Sequence, residues 1–282
     1  MSLSVNWTRK DYSRIPYWLY HDVDVYKQEQ DLIFRGATWA YLCLEAEIPN
    51  PGDYKTTWVG DTPILINRDR SGAIHAMVNR CSHRGAAVCR RSLGNTKVHT
   101  CIYHRWSFNL EGDLIGIPFQ RGVKGAGGMD EDFNKSEHGL RKLKVASFQG
   151  VICATFAQEG ETLEEYLGPM MCQQISRLMH KPINILGYQR QRIDGNWKYY
   201  LENLRDTYHA SLLHEFLVTF GIDRVTQKGG IEMDGRHRHN LTYAHAGSDS
   251  DEDAKKAYGE HKLKSDALAL ADPRLLEFRQ EY

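Results

Sequence analysis

The strongest constraint in this 282-residue chain is one pair of short stretches. Cys81-Ser82-His83 is followed, after 17 intervening residues, by Cys101-Ile102-Tyr103-His104. Each stretch carries one thiol and one imidazole. For all four to serve one centre, two loops must be held tip to tip on a rigid frame. The surrounding sequence predicts such a frame. Short apolar runs read as strands at Trp39–Leu44, Tyr54–Val59, Pro63–Asn67, Ala73–Asn79, Lys97–Thr100, Trp106–Leu110 and Asp113–Ile117, with two more at Leu143–Phe148 and Val151–Phe156. Pro49-Asn50-Pro51-Gly52, Gly60-Asp61, Arg70-Ser71-Gly72 and Glu111-Gly112-Asp113 punctuate them as turns. Many short strands at this spacing predict an antiparallel β domain. The glycine-rich stretch 119–139 reads as a flexible surface loop.

Two thiolates and two imidazoles suit either structural zinc or an iron–sulfur cluster. Zinc sites commonly group like ligands, cysteines with cysteines and histidines with histidines. Here each loop carries one of each, which favours a Rieske [2Fe–2S] centre, in which two thiolates hold one iron and two histidines the other. Neutral imidazoles raise the potential to about −150 to +300 mV, so such a centre accepts electrons from a low-potential donor. Arg84-Gly85 supplies a tight turn after the first pair, and Trp106 is either a shield for the second tip or ordinary core. The other cysteines, Cys43, Cys89, Cys153 and Cys172, read as buried or inert free thiols.

Downstream the texture changes. Thr162–His180 reads as a helix divided at Gly168-Pro169, Ile183–Ile193 as a strand, Asn196–His214 as a helix, and Arg236–Ala246 as a strand. Ser248–Ala271 reads as an exposed acidic loop leading into a helix. The Asn196–His214 segment contains Asp206, His209 and His214, a D-x2-H-x4-H pattern that is weak alone. Five residues turn an α-helix by about 500°, so the two histidines share a metal only if the helix bends or ends between them. His237, His239 and His245 fall on one strand parity, and a hydrogen-bonded strand face is the expected reading.

A C-x-H…C-x-x-H domain followed about 105 residues later by D-x2-H-x4-H resembles the large (α) subunit of the Rieske non-haem iron ring-hydroxylating oxygenases. The resemblance implies an α+β chain. Residues 1–38 would be an N-terminal segment and 39–158 an antiparallel β Rieske domain. Residues 159–282 would be part of a mixed, helix-grip-like catalytic domain of antiparallel sheet and helices. It implies that Cys81, His83, Cys101 and His104 hold the cluster. His209 and His214 would be two Fe(II) ligands, and Asp206 would link a cluster histidine of one subunit to an iron-ligand histidine of its neighbour. Asn203, one turn back, is a further candidate for the iron site. The family's third iron ligand is an aspartate well over a hundred residues beyond the second histidine. This chain ends 68 residues after His214, so it is expected to be C-terminally partial and inactive alone.

The resemblance also implies that a separate ferredoxin and/or flavin reductase passes NAD(P)H electrons to the cluster. A homotrimer or an α3β3 assembly would use them to activate O2 against an aromatic ring. No strand–G-x-G-x-x-G–helix unit is present for binding a dinucleotide directly. Three stretches, Tyr41–Pro49, Arg121–Met129 and His138–Val145, are similar to the branch acting on monocyclic aromatic carboxylates. Salicylate is the favoured substrate, with terephthalate, anthranilate and benzoate as alternatives. Arg205 and Arg224 are candidates to meet the carboxylate, although structural roles are the expected reading for both. Two other classes remain, a Rieske electron carrier without oxygen chemistry and a zinc-stabilised binding module. The D-x2-H-x4-H segment argues against a bare carrier. Equal numbers of basic and acidic residues, 36 each, argue against nucleic acid. No apolar run reaches 18 residues, so no membrane span is expected, and the absence of an apolar leader points to the cytoplasm.

Overall fold

In a computed structural model, residues 14–124, 126–206, 209, 213, 214 and 229–244 are described. The chain divides into two compact units, one of His21–Arg190 and one of Met1–Tyr20 with Gln191–Tyr282.

The first unit is built on strands β1 (Ala40–Leu44), β2 (Asp53–Val59), β3 (Thr62–Arg68), β4 (Ile74–Val78), β5 (Leu93–Asn95), β6 (His99–Thr100), β7 (Ser107–Phe108), β8 (Leu114–Gly116), β9 (Lys142–Phe148) and β10 (Val151–Thr155). Seven form one antiparallel sheet in the order β1-β10-β9-β4-β3-β2-β5, and β6-β7-β8 form a second. The expected strands are present, several of them shorter. The edge strand β5 is an addition, because Leu93-Gly94-Asn95 carries no apolar alternation.

The period-2 geometry of β3 decides where the centre sits. Ile64, Leu65 and Ile66 are all fully buried, so the sheet is covered on both faces. Ile64 and Ile66 join Leu42, Val59, Val78 and Ile152 in one core. Leu65 points the other way and packs with Met77, Phe108 and Leu114 around Cys81 and Cys101. The pairing Leu65↔Met77 in the β3–β4 register keeps both on that second face, and a one-residue slip would turn the whole set over.

Ahead of the sheet, α1 (Val23–Glu29) is capped by Asp22 and runs into a π-helical turn, Gln30–Phe34. After the sheet, α2 (Leu163–Leu178) starts with a capping box. The Thr162 hydroxyl accepts from the Glu165 N–H, and Glu165 accepts from the Thr162 N–H at 2.8 Å. Gly168, at φ 68°, breaks α2 before Pro169, as the sequence predicts. Leu163 and Leu167 bury the first turns against Trp39 and Cys153.

The strand expected at Ile183–Ile193 does not form. Residues 182–194 have no regular structure. The alternation is there, but among the described residues no neighbouring strand takes its backbone hydrogen bonds. One point of attachment is Tyr188, which hydrogen-bonds Glu47 and lies under Lys55.

In the second unit, α3 (Trp197–Arg205) is capped by Asn196 and breaks at Asp206, extended at ψ 97°, inside the expected Asn196–His214 helix; His209 and Leu213 beyond the break are helical again. Strands β11 (Gly229–Met233) and β12 (Asn240–Ala244) form a hairpin. The expected strand 236–246 therefore starts four residues late. His237 lies in the turn at φ 56°, and His237 and His239 precede the strand. His245, Arg224 and 248–271 lie outside the described residues. No described helix is long and apolar enough to cross a membrane.

Candidate metal centres

The two ligand-bearing loops share one backbone plan. In the first, Cys81 N–H donates to Ala86 C=O at 2.8 Å and Gly85 N–H donates back to Cys81 C=O at 2.8 Å. In the second, Cys101 N–H donates to Trp106 C=O at 2.8 Å and Arg105 N–H to Cys101 C=O at 3.0 Å. Both turns need a left-handed residue at the same place. Gly85 takes φ 73° freely, while Arg105 takes φ 60° at a steric cost. Strands β6 and β7 close the second loop, and the first is shut at its base by Asn79. The Asn79 side chain accepts from Cys89 N–H at 2.8 Å and donates to Cys89 C=O at 2.7 Å.

The loops bring the four side chains together as two like pairs. Cys81 and Cys101 are buried, at 4% and 1% exposure, and pack in one core cluster. Burial, and then the neighbouring Cys101, raises the Cys81 thiol above its ordinary pKa. The His83 and His104 rings meet edge to face at 4.7 Å. Burial, and then the neighbouring His104, holds His83 toward its neutral, metal-binding form. The Nδ1 of His104 is buried without a hydrogen-bond partner. An orphaned imidazole nitrogen in a native fold marks an absent ligand. A thiol pair and an imidazole pair suit the two ends of a [2Fe–2S] rhomb.

Around the histidines lies an aromatic wall. Trp106, 4% exposed, stacks on His83 at 4.8 Å and 12°. Phe133 and His138 stack on each other at 4.5 Å and present edges to Trp106 at 6.0 and 6.1 Å. Both come from the glycine-rich stretch, and the Ser82 hydroxyl pins that stretch by donating to His138 C=O at 2.6 Å. Sequence reading missed Ser82, Phe133 and His138. The only signal was an aromatic residue within a polar, glycine-rich segment.

The second constellation follows from the early end of α3. Asp206 leaves helical geometry, and its carboxylate accepts from His209 N–H at 3.2 Å. His209 Nδ1 lies 2.6 Å from Asp206 C=O. It therefore carries the proton, and the Nε2 lone pair is left for other partners. His214 Nε2 is 3.3 Å from His209 Nε2. That is the separation of two nitrogens each about 2.1 Å from one metal ion, so the pair fits a shared ion. Asn203 Nδ2 is 3.0 Å from the same His209 nitrogen. The Asp206 carboxylate is half exposed and 3.7 Å from His209 Nδ1. Arg205 is used structurally, with Nε donating to the Asn240 side chain at 3.0 Å.

Comparison with known proteins identifies the family of both regions. Residues 38–127 match the Rieske [2Fe–2S] domain, and 177–274 match the ring-hydroxylating α subunit (catalytic domain). The chain is 47% identical to the anthranilate 1,2-dioxygenase large subunit of Burkholderia cepacia, over 99% of this chain and 66% of that one. It is 43% identical to the terephthalate 1,2-dioxygenase terminal oxygenase component subunit alpha 2 of Comamonas sp, over 99% and 67%. With the salicylate 5-hydroxylase large oxygenase component of Ralstonia sp it shares 42%, over 98% and 66%. The chain thus spans about two thirds of the length of these curated relatives. Naphthalene 1,2-dioxygenase from Rhodococcus sp. superposes with TM-score 0.70 at 29% identity, over 83% of this chain and 54% of that one. The chain belongs to the large subunits of the Rieske aromatic ring-hydroxylating oxygenases.

Proposed function

We propose that this chain is the large subunit of a cytoplasmic oxygenase that hydroxylates a monocyclic aromatic carboxylate with O2. Cys81 and Cys101 hold one iron of a [2Fe–2S] cluster, and His83 and His104 hold the other. His209 and His214 are two ligands of a mononuclear Fe(II). The observation that carries the reading is the separation of the first four ligands into a thiol pair and an imidazole pair. A bound Fe(II) with open positions supplies the O2-activating chemistry. The protein's part is positional. The Asp206 carbonyl fixes the His209 tautomer by accepting a hydrogen bond from Nδ1–H. The half-exposed Asp206 carboxylate meets a cluster histidine of a neighbouring subunit and gives electrons a hydrogen-bonded route. Such a route requires an oligomer, a homotrimer or an α3β3 assembly. A ferredoxin and/or flavin reductase supplies the NAD(P)H-derived electrons.

Salicylate, anthranilate and terephthalate all lie within the substrate class. The relatives named for them stand at 42–47% identity and favour none of the three. The test has two stages. Anaerobically purified protein should show Rieske absorption and a rhombic paramagnetic signal when reduced. Colourless protein with stoichiometric zinc would sink the cluster assignment. In the assembled oxygenase, Asp206→Ala should leave those spectra unchanged and stop substrate-coupled O2 uptake, and retained hydroxylation would refute the bridging role. A panel of salicylate, anthranilate, terephthalate and benzoate then identifies the substrate. Turnover of none of them, with an intact cluster and iron, would refute the carboxylate class.

A further inference from the structure

Two polar side chains are buried between the two sheets of the first unit, Asn67 at 0% and His99 at 4% exposure. Asn67 belongs to β3 and has the parity of Leu65, so it leaves the main sheet on the face that packs around Cys81 and Cys101. His99 belongs to β6 of the second sheet. Its Nε2 lies 2.6 Å from Asn67 Oδ1. Asn67 Nδ2 donates to Leu110 C=O at 3.0 Å. That fixes Oδ1 as the acceptor and places a proton on His99 Nε2.

These two bonds grip both legs of the second ligand loop. Strand β6 enters the loop and β7 leaves it. His99 stands two residues before Cys101, and Leu110 two residues beyond the end of β7. The first ligand loop leaves from β4, which pairs with β3. Asn67 therefore stands beside the strand that launches one loop while holding the other. The second sheet is also tied at its β7–β8 turn. There Leu140 N–H donates to Gly112 C=O at 2.8 Å, and the half-exposed Lys142–Asp113 pair closes at 2.6 Å. Neither of these ties reaches β6.

The apolar contacts between the sheets, made by Leu65, Met77, Phe108 and Leu114, are not directional, so they tolerate small slides. A hydrogen bond weakens steeply when misaligned. Burying an amide and an imidazole also costs desolvation that an apolar pair would avoid, so stability alone gives no reason for polar side chains here. We propose that Asn67 and His99 are positioning residues for the four-ligand centre. Their bond sets Cys101 and His104 at the separation from Cys81 and His83 that one cluster spans. The inference rests on the reading of that centre as a Rieske cluster.

The test uses cluster-loaded protein and reads the paramagnetic signal of the reduced cluster and the rate of iron release to a chelator. His99→Leu removes the donor. The signal should shift and broaden, and iron should leave about tenfold faster or more. His99→Gln returns an N–H donor to the same place and should restore the parental signal and rate. Asn67→Leu/His99→Leu removes both buried polar partners together, so neither is stranded. It should fold and show the altered signal even if His99→Leu alone does not fold. Ile64→Val is the control, because it loosens the same strand from the opposite face; its unfolding midpoint should fall while its signal stays parental. A parental signal and release rate in the double variant overturn the proposal. An equal change in Ile64→Val overturns it in favour of general destabilisation, and failure of His99→Gln to restore the signal excludes the hydrogen bond as the cause. Parent protein lacking Rieske absorption overturns the underlying functional reading, and is recognised before any variant is compared.

Discussion

Trp106 separates two accounts of the aromatic wall, ordinary core packing and protection of the redox centre. The side chain is 4% exposed and packs among Cys81, Cys101, Phe108 and Leu114. Truncating such a residue to alanine removes its transfer free energy and leaves a cavity, about 3–5 kcal/mol. It also removes the stack on His83 and the two edge contacts with Phe133 and His138, each worth about 0.5–1.5 kcal/mol in such pairs. These contributions overlap, so the expected total for Trp106→Ala is about 4 kcal/mol. Trp106→Phe keeps a ring over His83 and should recover most of it. Phe133→Ala leaves Trp106 in place and thins the wall from outside. Guanidinium unfolding followed by far-UV circular dichroism gives the stability order. Loss of visible absorbance in the presence of an iron chelator, at denaturant concentrations where all variants are folded, gives the protective effect. Bleaching should be fastest in Trp106→Ala, intermediate in Phe133→Ala and slowest in the parent. If Phe133→Ala bleaches at the parental rate, the wall is packing alone. If Trp106→Ala costs less than about 1 kcal/mol, the packing argument fails as well.

Three further outcomes are expected. Gly85→Ala meets no atom within 4 Å but keeps φ 73°, so it should cost about 1–2 kcal/mol through backbone strain alone; an unchanged denaturation midpoint would count against the left-handed turn. Lys55 and Glu47 form an ion pair with side chains only 11% and 4% exposed, so Lys55→Met strands a buried carboxylate and should cost about 3–5 kcal/mol. Adding Glu47→Gln should restore part of that loss, and a strictly additive double variant would refute the coupling. Hydrogen bonds from His75, and then from Ser71, hold the Asp69 carboxyl well below the usual carboxylate range. Its folded-state pKa is depressed, so its stabilisation is complete above about pH 4 and is lost as pH falls below that value. Asp69→Asn should therefore flatten the acid limb of a urea-midpoint profile below pH 4, and parallel profiles would exclude Asp69 as a contributor.

Much of the β unit is legible in the sequence because its information is local. Ile64-Leu65-Ile66 reads as a strand whichever neighbours it finds, and Gly168-Pro169 breaks α2 in any context. The failures have two causes, a distant strand partner and a local cap. Ile183–Ile193 alternates like a strand, but a strand needs a partner. Leu93-Gly94-Asn95 does not alternate, yet pairs with β2 because the chain folds it there. The Asn196–His214 periodicity continues past Asp206, while the Asp206 carboxylate caps His209 instead, a local competition that apolar spacing does not register.

By itself the sequence determines which chemistry is available. Two thiols and two imidazoles divided between two stretches, followed by D-x2-H-x4-H, supply the candidate ligands and the family resemblance, since ligand type is a property of the residue. Tertiary structure decides how those ligands are grouped and what covers them. Folding pairs cysteine with cysteine and histidine with histidine across two loops, brings the His209 and His214 nitrogens to 3.3 Å, and turns a glycine-rich stretch into an aromatic wall over His83. The ligand pairs and the wall depend on contacts between residues far apart in the chain, and the His209–His214 approach on a local break at Asp206, neither of which periodicity along one segment records.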